Sequence, residues 1–299
     1  MIGSCLESQY IQEIIERISS QILSRQHIFV AKYPVGVDSH ATKIKKILNI
    51  GSNDIPIMAI HGLGGIGKTT IAKAAYNKMV DDFEGSSFLE NVKERSRTND
   101  GIIQLQEILL SNILRDGNLK VGNISRGINV IKKRLCHKRV LLVLDDVDEQ
   151  KHIENLLGKC NWLAPGSRII ITTRDKDVLT TLNQDYLIYV VFGMNQHEAL
   201  ELFSLYAFQK IEPEEAYLQL SKQIIDYANG LPLALKIIGS DLHGKSLCEW
   251  ESALEKYKKI PNKKIIQILK ISYEGLDQSE KDIFLDIAFS SRGKIKMML

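Results

Sequence analysis

Hydrophobic and polar positions change their spacing along the chain, and the changes predict two kinds of structure. Between positions 55 and 191, short apolar runs alternate with stretches of helical spacing. The apolar runs predict five strands, at 55–60, 87–92, 140–144, 168–172 and 187–191. Strands that alternate with helices form a parallel sheet with helices on both faces. We therefore expect an α/β domain built on a five-stranded parallel sheet.

After Gly193 the pattern is helical only, with a break at Gly230, Leu231 and Pro232. This part predicts helices at 198–208, 214–229, 233–242, 249–257, 265–273 and 278–288, and two more precede the sheet at 10–23 and 39–48. An all-helical region after an α/β region predicts a domain boundary near Gly193.

A glycine-rich segment, residues 62–70 (GLGGIGKTT), follows the first predicted strand and precedes a helical run. It matches G-x-x-x-x-G-K-[ST] in the strand–helix context that a phosphate-binding loop requires. Backbone N–H groups of such a loop surround a phosphate, Lys68 supplies an ammonium, and the Thr69 hydroxyl suits a phosphate-bound Mg²⁺. The segment predicts binding of a nucleoside di- or triphosphate. The alternative is a glycine-rich turn that carries a lysine by chance.

Two aspartates, Asp145 and Asp146, follow the continuously apolar run 140–144. In proteins with a phosphate loop, an aspartate at this strand end holds Mg²⁺, and Asp145 fits that role. Asp146 is the candidate to orient or deprotonate an attacking water. Since an aspartate reaches less far than a glutamate, we expect slow hydrolysis. The alternative is a polar strand end with two capping aspartates.

Three further features have a functional and a structural interpretation. If the strand 168–172 lies between the other two, Arg174 faces the phosphates and distinguishes tri- from diphosphate; otherwise it is a surface arginine paired with Asp175 or Asp177. By itself, the segment 230–235 (GLPLAL) indicates a structural turn. The lysines between 256 and 264 indicate a solvated face, because no aromatic residues for nucleic acid lie among them.

Composition narrows the class of protein. The 299 residues suffice for two or three domains, and a net charge of +3 is too small to indicate a nucleic-acid partner. We see no apolar run of membrane length and no secretory start. The cysteines are scattered, which predicts reduced thiols in a cytoplasmic protein without a disulfide or metal cluster; they are Cys5, Cys136, Cys160 and Cys248.

Taken in order, the motifs resemble those of NB-ARC modules, the nucleotide switches of plant intracellular immune receptors. The matching segments are 62–70, 83–92, 141–148, 166–175, 198–203, 230–235, 276–277 and 283–288. Asp148 and the segment 83–92 resemble the Toll/interleukin-1-receptor-type subclass. The resemblance implies an N-terminal linker helix (1–32), a P-loop nucleotide-binding domain (33–192), a helical domain (193–262) and an incomplete winged-helix domain (263–299).

The resemblance also implies site residues and partners. ADP holds such receptors closed, and exchange for ATP rearranges their domains so that they oligomerise. Other receptor domains or full-length receptors are further expected partners, and Mg²⁺ a cofactor. Arg174 matches the family's phosphate sensor, and Pro232 the proline that packs on the nucleotide. The expected nucleotide contacts, the first three to adenine, are Val35, Gly36, Val37, Gly62, Gly64, Gly65, Ile66, Gly67, Lys68, Thr69, Thr70, Arg174 and Pro232.

The chain also departs from the family pattern. The family's Met-His-Asp motif has no counterpart, and the segment after Ala288 differs from the usual sequence. We interpret the chain as a partial gene product, or alternatively as a truncated regulator. Three functions stay open: an ADP/ATP switch with slow hydrolysis, a P-loop enzyme that works by turnover, and an interaction fragment that needs no nucleotide.

Overall fold

The computed structural model describes residues 27–48, 57–158, 160, 162–179 and 186–259. The helices predicted at 10–23, 265–273 and 278–288, and with them the winged-helix segment 263–299, lie outside these residues. The other predicted strands and helices lie wholly or largely within the described residues.

Five strands and ten α-helices are present in the described part of the chain. The strands are β1 (Ile57–His61), β2 (Gly85–Leu89), β3 (Val140–Val147), β4 (Arg168–Thr173) and β5 (Tyr186–Val190). The helices are α1 (Val37–Ile47), α2 (Lys68–Met79), α3 (Val92–Arg95), α4 (Asn99–Leu114), α5 (Ile124–Leu135), α6 (Gln150–Leu157), α7 (Gln196–Ala207), α8 (Leu218–Ala228), α9 (Pro232–Leu242) and α10 (Leu247–Lys259).

All strand pairs are parallel, and the strand order is β2-β3-β4-β1-β5. The predicted five-stranded parallel sheet is therefore confirmed. Strand β4 lies between β1, which leads into the phosphate loop, and β3, which carries the two aspartates. This order brings the carboxyl ends of β1, β3 and β4 to one edge of the sheet, where ligands bind in folds of this type.

Alternate residues of the central strands enter two separate cores, one on each face of the sheet. Met58, Ile60 and Val143 pack into the core formed with α1, α2 and the helices after β5. Ala59 and Leu142 pack into the other core, together with apolar residues of α4, α5 and α6. Because both faces are covered, these strands read as continuous apolar runs in the sequence. Helices on both faces were predicted, and this is confirmed.

The described part that follows β5 is helical, as predicted. Trp250 of α10 is buried, and its indole N–H donates to the Leu242 carbonyl at 3.0 Å. The Trp250 ring packs edge-to-face on Phe203 of α7, with centroids 5.6 Å apart. Phe203 and Trp250 belong to the same core as the apolar residues of α2. The helical region and the sheet therefore share one core across Gly193.

Some boundaries differ from the predictions. Strand β2 ends at Leu89, because Asn91 adopts a left-handed backbone (φ 55°) and α3 begins at Val92. Strand β3 continues past Leu144 to Val147 through a bulge, so the two aspartates lie within the strand and do not follow it. The predicted helix 214–229 is divided into a 3₁₀ turn, Glu215–Tyr217, and α8.

Candidate functional site

The glycine-rich segment forms a cradle between β1 and α2. Gly62, Gly65 and Gly67 all have positive φ angles, of 156°, 78° and 101°. A residue with a Cβ is strained at these angles, so the glycines permit the turn. Helix α2 begins at Lys68, and the N–H groups of its first turn have no acceptor within the helix. They can bind an anion, so the loop fits a phosphate group.

Lys68 lies inside this cradle. Its side chain is buried, and its ammonium donates to the carbonyl oxygens of Gly62 (2.7 Å) and Leu63 (3.0 Å). The pKa of the Lys68 ammonium is lowered to about 8, chiefly by burial and also by the charge of Arg174, while the charges of Asp146 and Asp145 oppose the shift. A phosphate at this position would favour the charged ammonium.

Asp145 is the buried carboxylate of the site, with 3% of its surface exposed. Its Oδ1 atom accepts hydrogen bonds from the hydroxyls of Thr69 (2.8 Å) and Thr172 (2.7 Å). Burial raises the pKa of the Asp145 carboxyl, the two hydroxyls oppose this, and the charges of Asp146 and Glu90 add to it. A cation beside this carboxylate would offset the cost of its burial.

Asp146 lies at the bulge of β3 and has a left-handed backbone, with φ 57°. Its N–H donates to the Thr172 hydroxyl at 2.8 Å. One side-chain oxygen lies 4.0 Å from the Arg174 Nε, and about a third of each side chain is exposed. The two aspartates therefore differ in environment, since Asp145 is buried on Thr69 and Asp146 lies beside a guanidinium.

Arg174 follows β4 at the same edge of the sheet as Lys68, as expected from the strand order. The charges of Lys68, Asp146 and Arg174 are close enough to influence one another, as the pKa of Lys68 records. The Arg174 carbonyl oxygen contacts the His61 Nε2 at 3.1 Å, which ties the end of β4 to the end of β1. The sensor role of Arg174 stays a prediction.

The helical region contacts the cradle directly. The Leu233 N–H of α9 donates to the Gly65 carbonyl at 3.2 Å. A Cβ on Gly65 would lie 2.8 Å from the Leu233 side chain, and one on Gly67 would lie 4.0 Å from the Pro232 Cγ. Pro232 is the first residue of α9 and follows the N-cap residue Leu231. The predicted turn at 230–235 is therefore present, and it also joins α9 to the phosphate loop.

The segment expected to contact the base, residues 35–37, lies close to α7 of the helical region. Val35 is buried in the core that also contains Ile66 of the loop, and Gly36 has a left-handed backbone (φ 72°) just before α1. A Cβ on Gly36 would lie 2.7 Å from the Glu198 Oε1 of α7. Whether Val35, Gly36 and Val37 contact a base stays a prediction.

Sequence reasoning missed several residues of this region. Thr172 is hydrogen-bonded to both aspartates. Because threonine is common in strands, the sequence does not indicate this role. Glu90, at the end of β2, forms a 2.5 Å ion pair with Lys73 of α2. Arg168 is fully buried, and its Nε donates to the Leu48 carbonyl at 2.9 Å. Glu90 lies in the segment 83–92 that resembles the family, but no role was assigned to it from the sequence.

The residues present fit a nucleotide with a divalent cation. The first turn of α2 presents unpaired N–H groups to a phosphate, and Asp145 and Thr69 supply a carboxylate and a hydroxyl of the kind that Mg²⁺ prefers. In the described ranges, no group of three or more His, Cys, Asp or Glu side chains could hold a metal by themselves.

Two other expectations concern the cysteines and membrane-spanning segments. Cys136, Cys160 and Cys248 are free thiols, as expected for these three. Among the helices described, none combines the length and the apolar composition that crossing a bilayer requires.

Comparison with known proteins identifies a family and several relatives for this chain. A model of the NB-ARC domain matches residues 37–212. The chain is 44% identical to disease resistance protein RUN1 of Vitis rotundifolia over 96% of this chain and 22% of that protein. It is 41% identical to TMV resistance protein N of Nicotiana glutinosa over 98% of this chain and 26% of that protein. The solved structure of Cdc6p from Pyrobaculum aerophilum aligns with a TM-score of 0.46 and 13% identity, over 79% of this chain and 66% of that one.

The chain thus spans about a quarter or less of the length of these two relatives. The family match covers the phosphate loop, both aspartates and Arg174, and it ends within the helical region. The resemblance seen in the sequence is confirmed: the chain belongs to the NB-ARC family, and membership of this family implies that it binds a nucleotide.

Proposed function

We propose that this chain is the ADP/ATP-operated switch module of a plant intracellular immune receptor, acting in the cytoplasm in defence signalling. One observation carries the proposal. The loop that fits the phosphates is hydrogen-bonded through the Gly65 carbonyl to Leu233 of the helical region. A ligand that changes the loop therefore changes the surface on which the helical region packs. This is the physical requirement for a switch, because a ligand moves an equilibrium only by contacts that differ between two states.

The relatives give the proposal its biological setting. RUN1 and N are named as a disease resistance protein and a virus resistance protein. Since this chain corresponds to a minor part of each, its signalling partners are other domains of a receptor, full-length receptors, or copies of the same module. The Toll/interleukin-1-receptor-type assignment, which rests on Asp148 and on the segment 83–92, belongs to the same proposal.

The roles of the residues follow from their environments. Lys68 and the first turn of α2 hold the phosphates, and Thr69 and Asp145 hold Mg²⁺, which supplies positive charge against the phosphates when it is bound. Arg174 reads the terminal phosphate and restrains Asp146. Asp146 orients the attacking water, with slow turnover as the result. Val35, Gly36 and Val37 contact adenine, and Pro232 packs on the nucleotide.

Nucleotide binding should weaken as the pH rises above 8. In the free protein the pKa of Lys68 is lowered to about 8, whereas a bound phosphate favours the ammonium and raises that pKa. Below pH 8 the ammonium is already charged. Above it, binding must take up a proton, and the affinity falls about tenfold per pH unit. Calorimetry with ADP should therefore show about tenfold weaker binding at pH 9 than at pH 7.

Lys68→Arg is the matched control, because a guanidinium stays charged throughout this range. The control should bind ADP with an affinity that does not vary between pH 7 and pH 9. A wild-type protein that binds equally well at both values would contradict the assignment of Lys68 as the phosphate-binding cation.

Asp146→Ala should slow ATP hydrolysis more than it weakens binding, because Asp145 remains to hold the cation. We expect turnover to fall about a hundredfold, the usual effect of losing a group that positions or deprotonates water, and affinity to change by less than about threefold. Single-turnover hydrolysis and equilibrium binding measure the two effects. Asp81→Ala, an exposed carboxylate outside the site, is the control. Equal losses of binding and turnover would exclude the role given to Asp146.

A further inference from the structure

A third carboxylate lies beside the two aspartates of β3. Glu90 directly follows β2, and β2 pairs in parallel with β3 so that Leu89 lies opposite Leu144. The next residues of the two strands are Glu90 and Asp145, so both carboxylates lie at the same edge of the sheet.

Helix α2 contacts both of these carboxylates. Thr69 donates to Asp145 at 2.8 Å, and Lys73 pairs with the Glu90 Oε1 at 2.5 Å. Residues four apart share a face of a helix, so Thr69 and Lys73 point the same way from α2. The Lys73 side chain is 20% exposed and that of Glu90 is 49% exposed. The phosphate-loop helix thus positions a buried carboxylate and, next to it, one that is open to water.

Both carboxylates keep one oxygen without a hydrogen bond to the described residues. The two hydroxyls that contact Asp145 share its Oδ1, and Lys73 occupies only the Oε1 of Glu90. A Mg²⁺ ion bound through one or two protein ligands keeps several waters, and those waters need acceptors. Asp146 lies beside Arg174. The proposed function gives Asp146 to the attacking water, which leaves Glu90, whose side chain is 49% exposed, as the neighbouring carboxylate for the water shell.

We infer that Glu90 is a positioning residue for the divalent cation, accepting hydrogen bonds from its water shell while Lys73 fixes the carboxylate in place. This inference rests on the proposed Mg²⁺–nucleotide site. Groups that hold the shell of a metal ion typically change its affinity tenfold or more. A solvent-exposed ion pair without such a role contributes little to stability and nothing to cation binding.

The test is Glu90→Gln, with ADP affinity measured in Mg²⁺ and again in EDTA. We expect affinity in Mg²⁺ to fall about tenfold, while affinity in EDTA equals that of the wild type. Glu94→Gln is the matched control, because Glu94 pairs with Arg97 on the exposed surface of the same segment. Glu94→Gln should match the wild type in both conditions. Unchanged affinity of Glu90→Gln in Mg²⁺ would overturn the inference.

Exchanging the charges of Lys73 and Glu90 distinguishes a role of Glu90 in positioning the cation from a role in the ion pair alone. Lys73→Glu combined with Glu90→Lys keeps an ion pair but places an ammonium where the cation needs an acceptor. Thermal unfolding should be close to wild type, and the Mg²⁺-dependent part of the affinity should stay lost. If the double variant matches the wild type in both thermal unfolding and Mg²⁺-dependent affinity, Glu90 serves only the ion pair. A wild-type protein that binds ADP in neither condition would contradict the proposed function as well; normal Mg²⁺-dependent binding by Glu90→Gln would contradict this inference alone.

Discussion

Lys68→Ala should abolish nucleotide binding, with ADP affinity falling at least about a hundredfold. The ammonium is the buried cation of the cradle, already bonded to the Gly62 and Leu63 carbonyl oxygens. A charge-assisted hydrogen bond to phosphate is about twice as strong as a neutral one, and each tenfold in affinity is about 1.4 kcal/mol. Isothermal titration calorimetry with ADP and Mg²⁺ measures the loss.

Lys78→Ala is the control for this variant. Lys78 lies on the same helix and pairs with Asp38 at 2.6 Å, but its side chain is a third exposed and far along α2 from the loop. It should bind ADP as the wild type does. Micromolar affinity retained by Lys68→Ala, in a protein whose circular dichroism matches the wild type, would rule out the phosphate loop as the binding site.

Gly65→Ala should weaken ADP binding at least about tenfold and loosen the contact with the helical region. At φ 78°, an alanine costs about 1–2 kcal/mol. Its Cβ would also lie 2.8 Å from Leu233, so the loop or α9 must move. Since 1.4 kcal/mol corresponds to tenfold in affinity, the strain alone accounts for an effect of about this size. Calorimetry measures the affinity, and limited proteolysis reports the helical contact.

Two variants make this prediction specific. Gly117→Ala adds a methyl group where no atom lies within 4 Å, so it should bind normally. Gly65→Ala combined with Leu233→Gly removes the steric conflict, because the Leu233 Cβ and Cδ2 that the new methyl group would meet are both gone, but it leaves the backbone strain, so it should recover part of the affinity. If the double variant binds no better than Gly65→Ala, contact with Leu233 does not link the loop to the helical region.

The alternation of strands with helices and the position of the phosphate loop could be predicted because they depend on local patterns. The buried strands are continuous apolar runs, and the loop is a contiguous motif between a strand and a helix. Arg174 was expected at the carboxyl edge from strand order alone, and it lies there beside Asp146. A contiguous motif therefore predicted the phosphate loop, and the expected position of one strand predicted where Arg174 lies.

The remaining features depend on pairing between distant segments. The bulge that gives Asp146 its left-handed backbone arises where β3 meets β4, and nothing in the sequence around Asp146 marks it. Thr172 joins the two aspartates only because β4 lies beside β3. Arg168 is fully buried, and its Nε donates to the Leu48 carbonyl, 120 positions away. Such contacts have no local signal.

The helix break at 230–235 shows how a correct structural prediction can miss a contact. Pro near a helix start indicates a turn, and the turn is present. The residue pattern could not show that the N–H of Leu233 would meet the Gly65 carbonyl, 168 positions away. That hydrogen bond is the feature that connects the ligand site with the helical region.

The nucleotide content of the purified protein tests the central claim most directly. The protein is denatured, and the released small molecules are separated by chromatography and quantified against the protein. The account predicts about one ADP per chain, since a switch held closed by ADP retains it through purification. A folded protein that releases no nucleotide, and that binds none when ADP and Mg²⁺ are added, would contradict the switch and favour an interaction fragment that works without a ligand.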